Sequence, residues 1–105
     1  MGRTGRTGAL KVQVTWLRTA LRNLDDEATY IAHDSPQAAK LVVQRVLNAV
    51  ALLAEQPGLG RPGRVPRTRE LLVPKTRYLV PYRVRGHAVE VLRVFHSSRR
   101  PAQRW

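Results

Sequence analysis

One break divides this chain by its apolar period. Between Trp16 and Ala54, apolar residues recur every three or four positions, as on one face of a helix. After Thr68 they alternate, as on one face of a strand. The junction is Gln56-Pro57-Gly58, where Pro cannot continue a helical ladder and Gly tolerates left-handed geometry. A chain that changes period this way forms its helices and most of its strands in separate blocks. The helices must then bury their stripes against one face of a sheet, which predicts a two-layer α+β domain.

Within the first block, Leu17, Ala20, Leu21, Leu24, Ala28, Ile31 and Ala32 make one stripe, with Asp25, Asp26 and Glu27 on or beside the opposite face. Ser35-Pro36 is a helix start: the Ser hydroxyl accepts from an early backbone N–H, and Pro suits the first helical position. Ala39, Val42, Val43, Val46, Val50, Leu53 and Ala54 make the second stripe. Two such helices with a short joint form an antiparallel hairpin. Lys11 to Thr15 alternates and predicts a short strand before them.

After the Gly/Pro/Arg loop from Leu59 to Thr68, three strands are expected: Glu70 to Val73, Arg77 to Arg85 and Ala88 to Phe95. Gly86-His87 between the last two fits a two-residue hairpin with Gly first. Pro81 cannot donate to a ladder, so its strand needs a bulge or an edge position. The expected order is strand, antiparallel helix hairpin, then a three-strand meander forming a small antiparallel sheet. Residues 1–9 read as a disordered or extended tail and residues 10–105 as one domain, since 105 residues suffice for one core and not two.

Several chemistries are excluded. With no cysteine there are no disulfides, thiolate metal sites or Cys nucleophile. His33, His87 and His96 lack metal-ligand spacing, so no metal and no cofactor are expected. No apolar run reaches about 18 residues, and the start lacks a signal-peptide core, so no membrane role and a cytoplasmic location are expected.

Charge is unevenly placed. Of the net +12, residues 1–60 contribute little, with seven Lys/Arg against five Asp/Glu. Residues 61–105 hold twelve Lys/Arg against Glu70 and Glu90 alone. Like charge at this density repels itself and favours a polyanionic partner, nucleic acid or an acidic protein. The candidate contact residues are Arg61, Arg64, Arg67, Arg69, Lys75, Arg83, Arg85, Arg93 and Arg100. A non-toxic, basic nucleic-acid-binding module would also suit this half, with affinity falling steeply in salt.

Several phrases, in order, resemble the RelE/ParE toxin family of type II toxin–antitoxin modules. They are Leu24-Asp25-Asp26 with Tyr30-Ile31-Ala32, then Gln56-Pro57-Gly58-Leu59-Gly60-Arg61, then Thr68-Arg69-Glu70-Leu71. Tyr78-Leu79-Val80-Pro81-Tyr82-Arg83-Val84 and Val91-Leu92-Arg93-Val94-Phe95-His96, with Arg99-Arg100-Pro101, complete the series. The resemblance covers about residues 12–101. It implies a cognate antitoxin whose acidic, partly disordered segment wraps and neutralises the toxin, a role the basic half suits.

The resemblance implies one of two targets. RelE-type members cleave mRNA on the ribosome without metal, using a base, an acid and cations for the phosphate. That pattern places an arginine after the middle-strand tyrosine, where this chain has Leu79, and lysines in the preceding strand, where it has Glu70 and Leu72. It also ends on a tyrosine absent from Ala102-Gln103-Arg104-Trp105. His96, Arg99, Arg77 and Tyr78 are the residues that could form a different ribonuclease site. ParE-type members poison DNA gyrase by binding, and Arg69-Glu70-Leu71 with His96-Ser97-Ser98-Arg99-Arg100-Pro101 resemble that branch more.

Individual residues carry structural readings beside the functional ones. Glu70 is expected to pair with Arg69, Arg83 or Arg93 across the sheet. Tyr78 and Tyr82 share parity with Val80 and Val84 and read as core-edge aromatics. Arg93 breaks an apolar parity and requires snorkelling or a bulge. His96 ends its strand and suits either a structural or an acid/base role.

Overall fold

The computed structural model describes residues 11–98. It contains β1 (Gln13–Trp16), α1 (Arg18–Ala32), α2 (Pro36–Ala51) and a 3-10 turn (Leu52–Ala54). These are followed by β2 (Arg61–Pro62), β3 (Arg69–Leu72), β4 (Tyr78–Arg85), β5 (Ala88–Val91) and β6 (Phe95–His96). The helix hairpin forms as expected. The Ser35 hydroxyl accepts from the Ala38 N–H at 3.1 Å, and Pro36 occupies the first turn. The α2 stripe continues through the 3-10 turn to Ala54. This 19-residue stretch, Pro36–Ala54, is long and apolar enough to cross a bilayer by length and composition, although Lys40 and Arg45 interrupt its apolar run. Its Ala39, Val46, Ala49, Val50 and Leu53 are buried in the domain.

The sheet order is β1-β5-β4-β3-β2, with β6 also pairing β4. The meander is antiparallel as expected, but the sheet as a whole is mixed, because β1 lies parallel to β5, Val14 opposite Val89. One face carries Leu71, Val80, Tyr82, Val89 and Val91 and packs on Ala20, Leu24, Val46, Val50 and Leu53 of the helical layer. The hairpin at Gly86-His87 forms as read, with Gly86 at φ +58°.

Pro81 lies in a central strand. The expected third strand is split opposite it. Val91 pairs with Tyr82, but Phe95 pairs with Leu79, so the β5–β6 side carries one extra residue: a β-bulge at Arg93-Val94. The Pro81 carbonyl accepts from Leu92 N–H at 2.9 Å. A strand residue's N–H and C=O point to the same side, so the donor that Pro81 lacks faces the bulge, where the ladder is already broken. The Asn23 side chain satisfies the Val94 N–H at 3.1 Å. The bulge also resolves the parity at Arg93: Val94 turns to the core, 2 % exposed, while Arg93 is half-buried.

Candidate functional site

The expected acid/base residues converge at one end of the helix hairpin. A cavity of about 440 Å³ is lined there by Tyr30 and Ile31 of α1, Val42 of α2, Thr76 and Arg77 of the β3–β4 turn, Tyr78 of β4 and His96 of β6. The antiparallel register sets Tyr78 opposite His96. Their rings meet edge to face, centroids 5.3 Å apart and planes at 86°. The Ser97 N–H donates to the Arg77 carbonyl at 2.6 Å and continues that pairing by one residue. Arg77, Tyr78 and His96 are thus brought together. Arg99 and Arg100 lie outside the described residues.

Tyr78 is a buried core-edge residue, and its hydroxyl donates to the Glu27 carboxylate at 2.9 Å. Glu27 therefore belongs to the core side of α1, correcting its placement on or beside the solvent face. A signal existed: Leu24, Glu27 and Ile31 fall at helical spacings of three and four, so Glu27 occupies a stripe position. Tyr30 was missed as a wall of this cavity because it lies beyond the stripe and is 65 % exposed. At His96, Nδ1 receives the Ser98 N–H at 3.3 Å and lies 2.8 Å from the Ser98 hydroxyl. A backbone N–H can only donate, so Nδ1 is the acceptor in this contact.

The arginine-rich loop is held from below. Glu70 is 2 % exposed, and its carboxylate accepts from the Arg64 backbone N–H at 3.2 Å and the Arg61 guanidinium at 3.5 Å. A cation set against it is thus Arg61, which the expected Arg69, Arg83 or Arg93 did not include, and Arg69 and Arg83 are engaged elsewhere. The reason is register: Arg61 sits directly opposite Glu70 once β2 adds to β3, and a two-residue strand leaves no periodic signal. Arg69 instead donates to the Gly60 carbonyl at 2.6 Å. Arg83 pairs with Glu90 at 2.6 Å and Arg85 lies 3.9 Å from the same carboxylate. The Arg83 hydrogen bond holds the Glu90 carboxyl below its ordinary range, with smaller contributions from the charges of Arg83 and Arg85. Arg67 and Lys75, at the tips of two turns, adopt φ of +67° and +62°.

Tyr82 is fully buried and fastens the same loop. Its hydroxyl donates to the Pro57 carbonyl at 2.7 Å and accepts from Gly60 N–H at 2.8 Å. Burial raises its pKa above the ordinary value, against the opposing pull of the Gly60 hydrogen bond and the Arg69 charge. Among the described residues, no cluster of three or more His, Asp or Glu could hold a metal ion.

Residues 14–101 match the family described as the ParE toxin of the type II toxin–antitoxin system parDE. This chain belongs to the ParE toxin family. The ParE-family chain is also 44 % identical over 93 residues to a Sinorhizobium fredii protein described as a candidate toxin, Y4kP. That match covers 89 % of this chain and 92 % of the relative. A chain of the chromosomal ParDE toxin–antitoxin system of P. aeruginosa superposes with a TM-score of 0.74 at 29 % identity, covering 82 % of this toxin and 96 % of that chain. A chain of the RelBE2 toxin–antitoxin complex of Mycobacterium tuberculosis superposes with a TM-score of 0.58 at 24 % identity, covering 82 % and 98 %. The latter likeness is one of fold. The ParE-like branch expected from the sequence is the one the chain belongs to.

Proposed function

We propose that this type II toxin arrests growth in the cytoplasm by binding DNA gyrase, without chemistry of its own, and is neutralised by a cognate antitoxin. The observation that carries this reading is the residue after Tyr78. Where a RelE-type nuclease would hold an arginine, Leu79 is 2 % exposed and paired with both β3 and β6. Glu70, at a position where that pattern has lysine, is buried and engaged by the arginine loop. The Ser98 contacts at His96 Nδ1 also draw on the acceptor that a general base would need.

One observation favours a second reading, ribosome-dependent mRNA cleavage. Arg77, Tyr78 and His96 line one cavity, and a carboxylate, Glu27, touches the Tyr78 hydroxyl. Pulse labelling after induction without antitoxin separates the two. Early loss of thymidine incorporation with continuing translation is expected for gyrase. Early loss of methionine incorporation, abolished by His96→Ala or Arg99→Ala in a folded chain, would replace this reading with the nuclease. No effect on either would remove the toxin activity itself and leave a basic binding module.

A further inference from the structure

Positive charge gathers at the end of the sheet where β4 runs into its hairpin. Arg83 and Arg85 alternate with core-facing Tyr82, so both lie on the face away from the helical layer, about 6.8 Å apart along the strand. Glu90, opposite Arg83 on β5, braces them: Arg83 Nε donates to its carboxylate at 2.6 Å and Arg85 lies 3.9 Å away. One carboxylate between two guanidinium groups leaves a positive excess, and the Arg85 side chain is 65 % exposed. β3 begins at Arg69, opposite Tyr82, so β4 extends past it through Val84. The Val73 N–H donates to the Tyr78 carbonyl, so the even-numbered residues of β4 turn their backbone groups towards β3. Past Arg69, the Val84 N–H faces the side that β3 leaves open. A hollow of about 250 Å³ lies there, lined by Pro62, Arg67, Thr68, Arg69 and Val84. Arg67 and Arg69 belong to the arginine loop, which Tyr82 and Glu70 fasten from beneath.

The donors set the chemistry of the occupant. Among the described residues, the ion pairs of this half end on Glu70 and Glu90, and neither involves Arg67 or Arg69. All four cations of the corner are arginines, whose planar fork matches the oxygens of a phosphate. Arg67 holds φ +67°, where glycine would sit without strain, and a cation kept there argues for a use of its side chain. An acidic peptide needs apolar anchors. Beside the corner, Leu79, Pro81 and Leu92 on the outer face are all buried. A single nucleic-acid strand is gripped largely by stacking its bases on exposed aromatic rings. Tyr78 and Tyr82 of this sheet are buried on the core face, which leaves backbone phosphate as the group the corner can meet. We propose that this corner holds the phosphate backbone of duplex DNA, with Arg67, Arg69 and the Val84 N–H at the hollow and Arg83 and Arg85 over the strand end. The proposal rests on the reading that the toxin acts on gyrase, whose substrate is DNA, and adds that the toxin meets the DNA as well as the enzyme.

The test uses the full toxin chain, a short mixed-sequence DNA duplex labelled for fluorescence anisotropy, and purified gyrase. Each phosphate contact adds about 0.9 to the slope of log affinity against log salt, so four arginine contacts give a slope of roughly −3.6. Arg67→Gly and Arg85→Ala each lower that slope by about 1 and weaken binding several-fold, equally for duplexes of different sequence. Arg67→Gly keeps or raises the thermal midpoint, which separates its loss of binding from misfolding. Lys40→Ala, which removes an exposed cation from α2, leaves affinity and slope unchanged and so separates the corner from net charge. Wild-type affinity and slope in Arg67→Gly and Arg85→Ala, or no binding of the wild-type toxin to the duplex, overturns the DNA assignment. Gyrase binding that persists in calorimetry then leaves the gyrase reading intact. A toxin that binds the duplex through these arginines but does not bind gyrase removes the gyrase reading alone. Tighter binding to a single-stranded RNA of the same length, with the same dependence on the arginines, overturns the assignment in favour of RNA. Variants that weaken antitoxin binding while leaving DNA binding unchanged overturn it in favour of an acidic protein.

Discussion

Replacing Tyr82 by Phe removes one oxygen that closes two hydrogen bonds across 22 and 25 residues of chain. The ring stays, and so does its apolar contact with the helical layer. What changes is the state of two backbone groups. Gly60 is buried, and its N–H loses its acceptor, the hydroxyl at 2.8 Å. An unsatisfied buried donor costs about 1–3 kcal/mol. The Pro57 carbonyl is half-buried and recovers part of its loss from water. The expected destabilisation is therefore about 2 kcal/mol, close to the cost of a single buried N–H. For a domain of this size that lowers the thermal midpoint by about 8–16 °C. Local relief by sliding the loop is restricted. An added atom at Gly60 would already meet the Tyr82 ring at 2.7 Å and the Glu70 carbonyl at 2.8 Å, so the backbone is seated against both. Thermal and urea unfolding of the purified chain measure the loss, and exchange of the Gly60 amide locates it. A midpoint shift under about 2 °C with unchanged Gly60 protection would refute the pinning argument. The pH dependence adds a sign. The folded pKa of Tyr82 is raised, so its contribution to stability is complete below pH 10 and is lost as pH rises through the folded value. Tyr82→Phe lacks that alkaline component.

Three further outcomes follow from the same contacts. Asn23→Ala exposes the bulge: the Val94 N–H loses its side-chain acceptor, and urea unfolding should show a loss of about 1–3 kcal/mol, larger than for Thr19→Ala on the exposed face of α1. Ser35→Ala removes the cap of α2 and should cost about 0.5–2 kcal/mol, with Ser35→Asp restoring most of it in thermal melts. Glu90 has a folded pKa lowered chiefly by the Arg83 hydrogen bond, so its stabilisation is present above its ordinary value of 4.5 and is lost as pH falls through the folded value. Melting wild type and Glu90→Gln from pH 7 to pH 3 should show the two curves converging in acid, and a difference that stays constant with pH would exclude that linkage.

Much of the architecture lies in local pattern. The two stripes, the Ser35-Pro36 cap and the Gln56-Pro57-Gly58 stop define the helix hairpin because capping and amphipathicity are decided within a few residues. The Gly86 hairpin is equally local, since a single positive φ selects the residue. Pro81 and Arg93 each announced an irregularity, as a missing donor and a misplaced charge. That both belong to one bulge, stitched by Asn23 from α1, depends on packing across 71 residues and leaves no mark in either segment.

The candidate sites divide the same way. Composition places the positive charge in the second half of the chain, because charge is counted residue by residue. Which arginines serve the fold is decided only when strands pair: β2 brings Arg61 onto buried Glu70, and β5 brings Glu90 onto Arg83. The meeting of Tyr78 with His96 and Glu27, and of Arg67 and Arg69 around Val84, likewise depend on register and layer packing. Sequence by itself determined the elements and their order, since these follow from short-range sterics and periodicity. Tertiary structure decided the partners, because side chains distant along the chain acquire defined distances only once the sheet and the helix hairpin share a core.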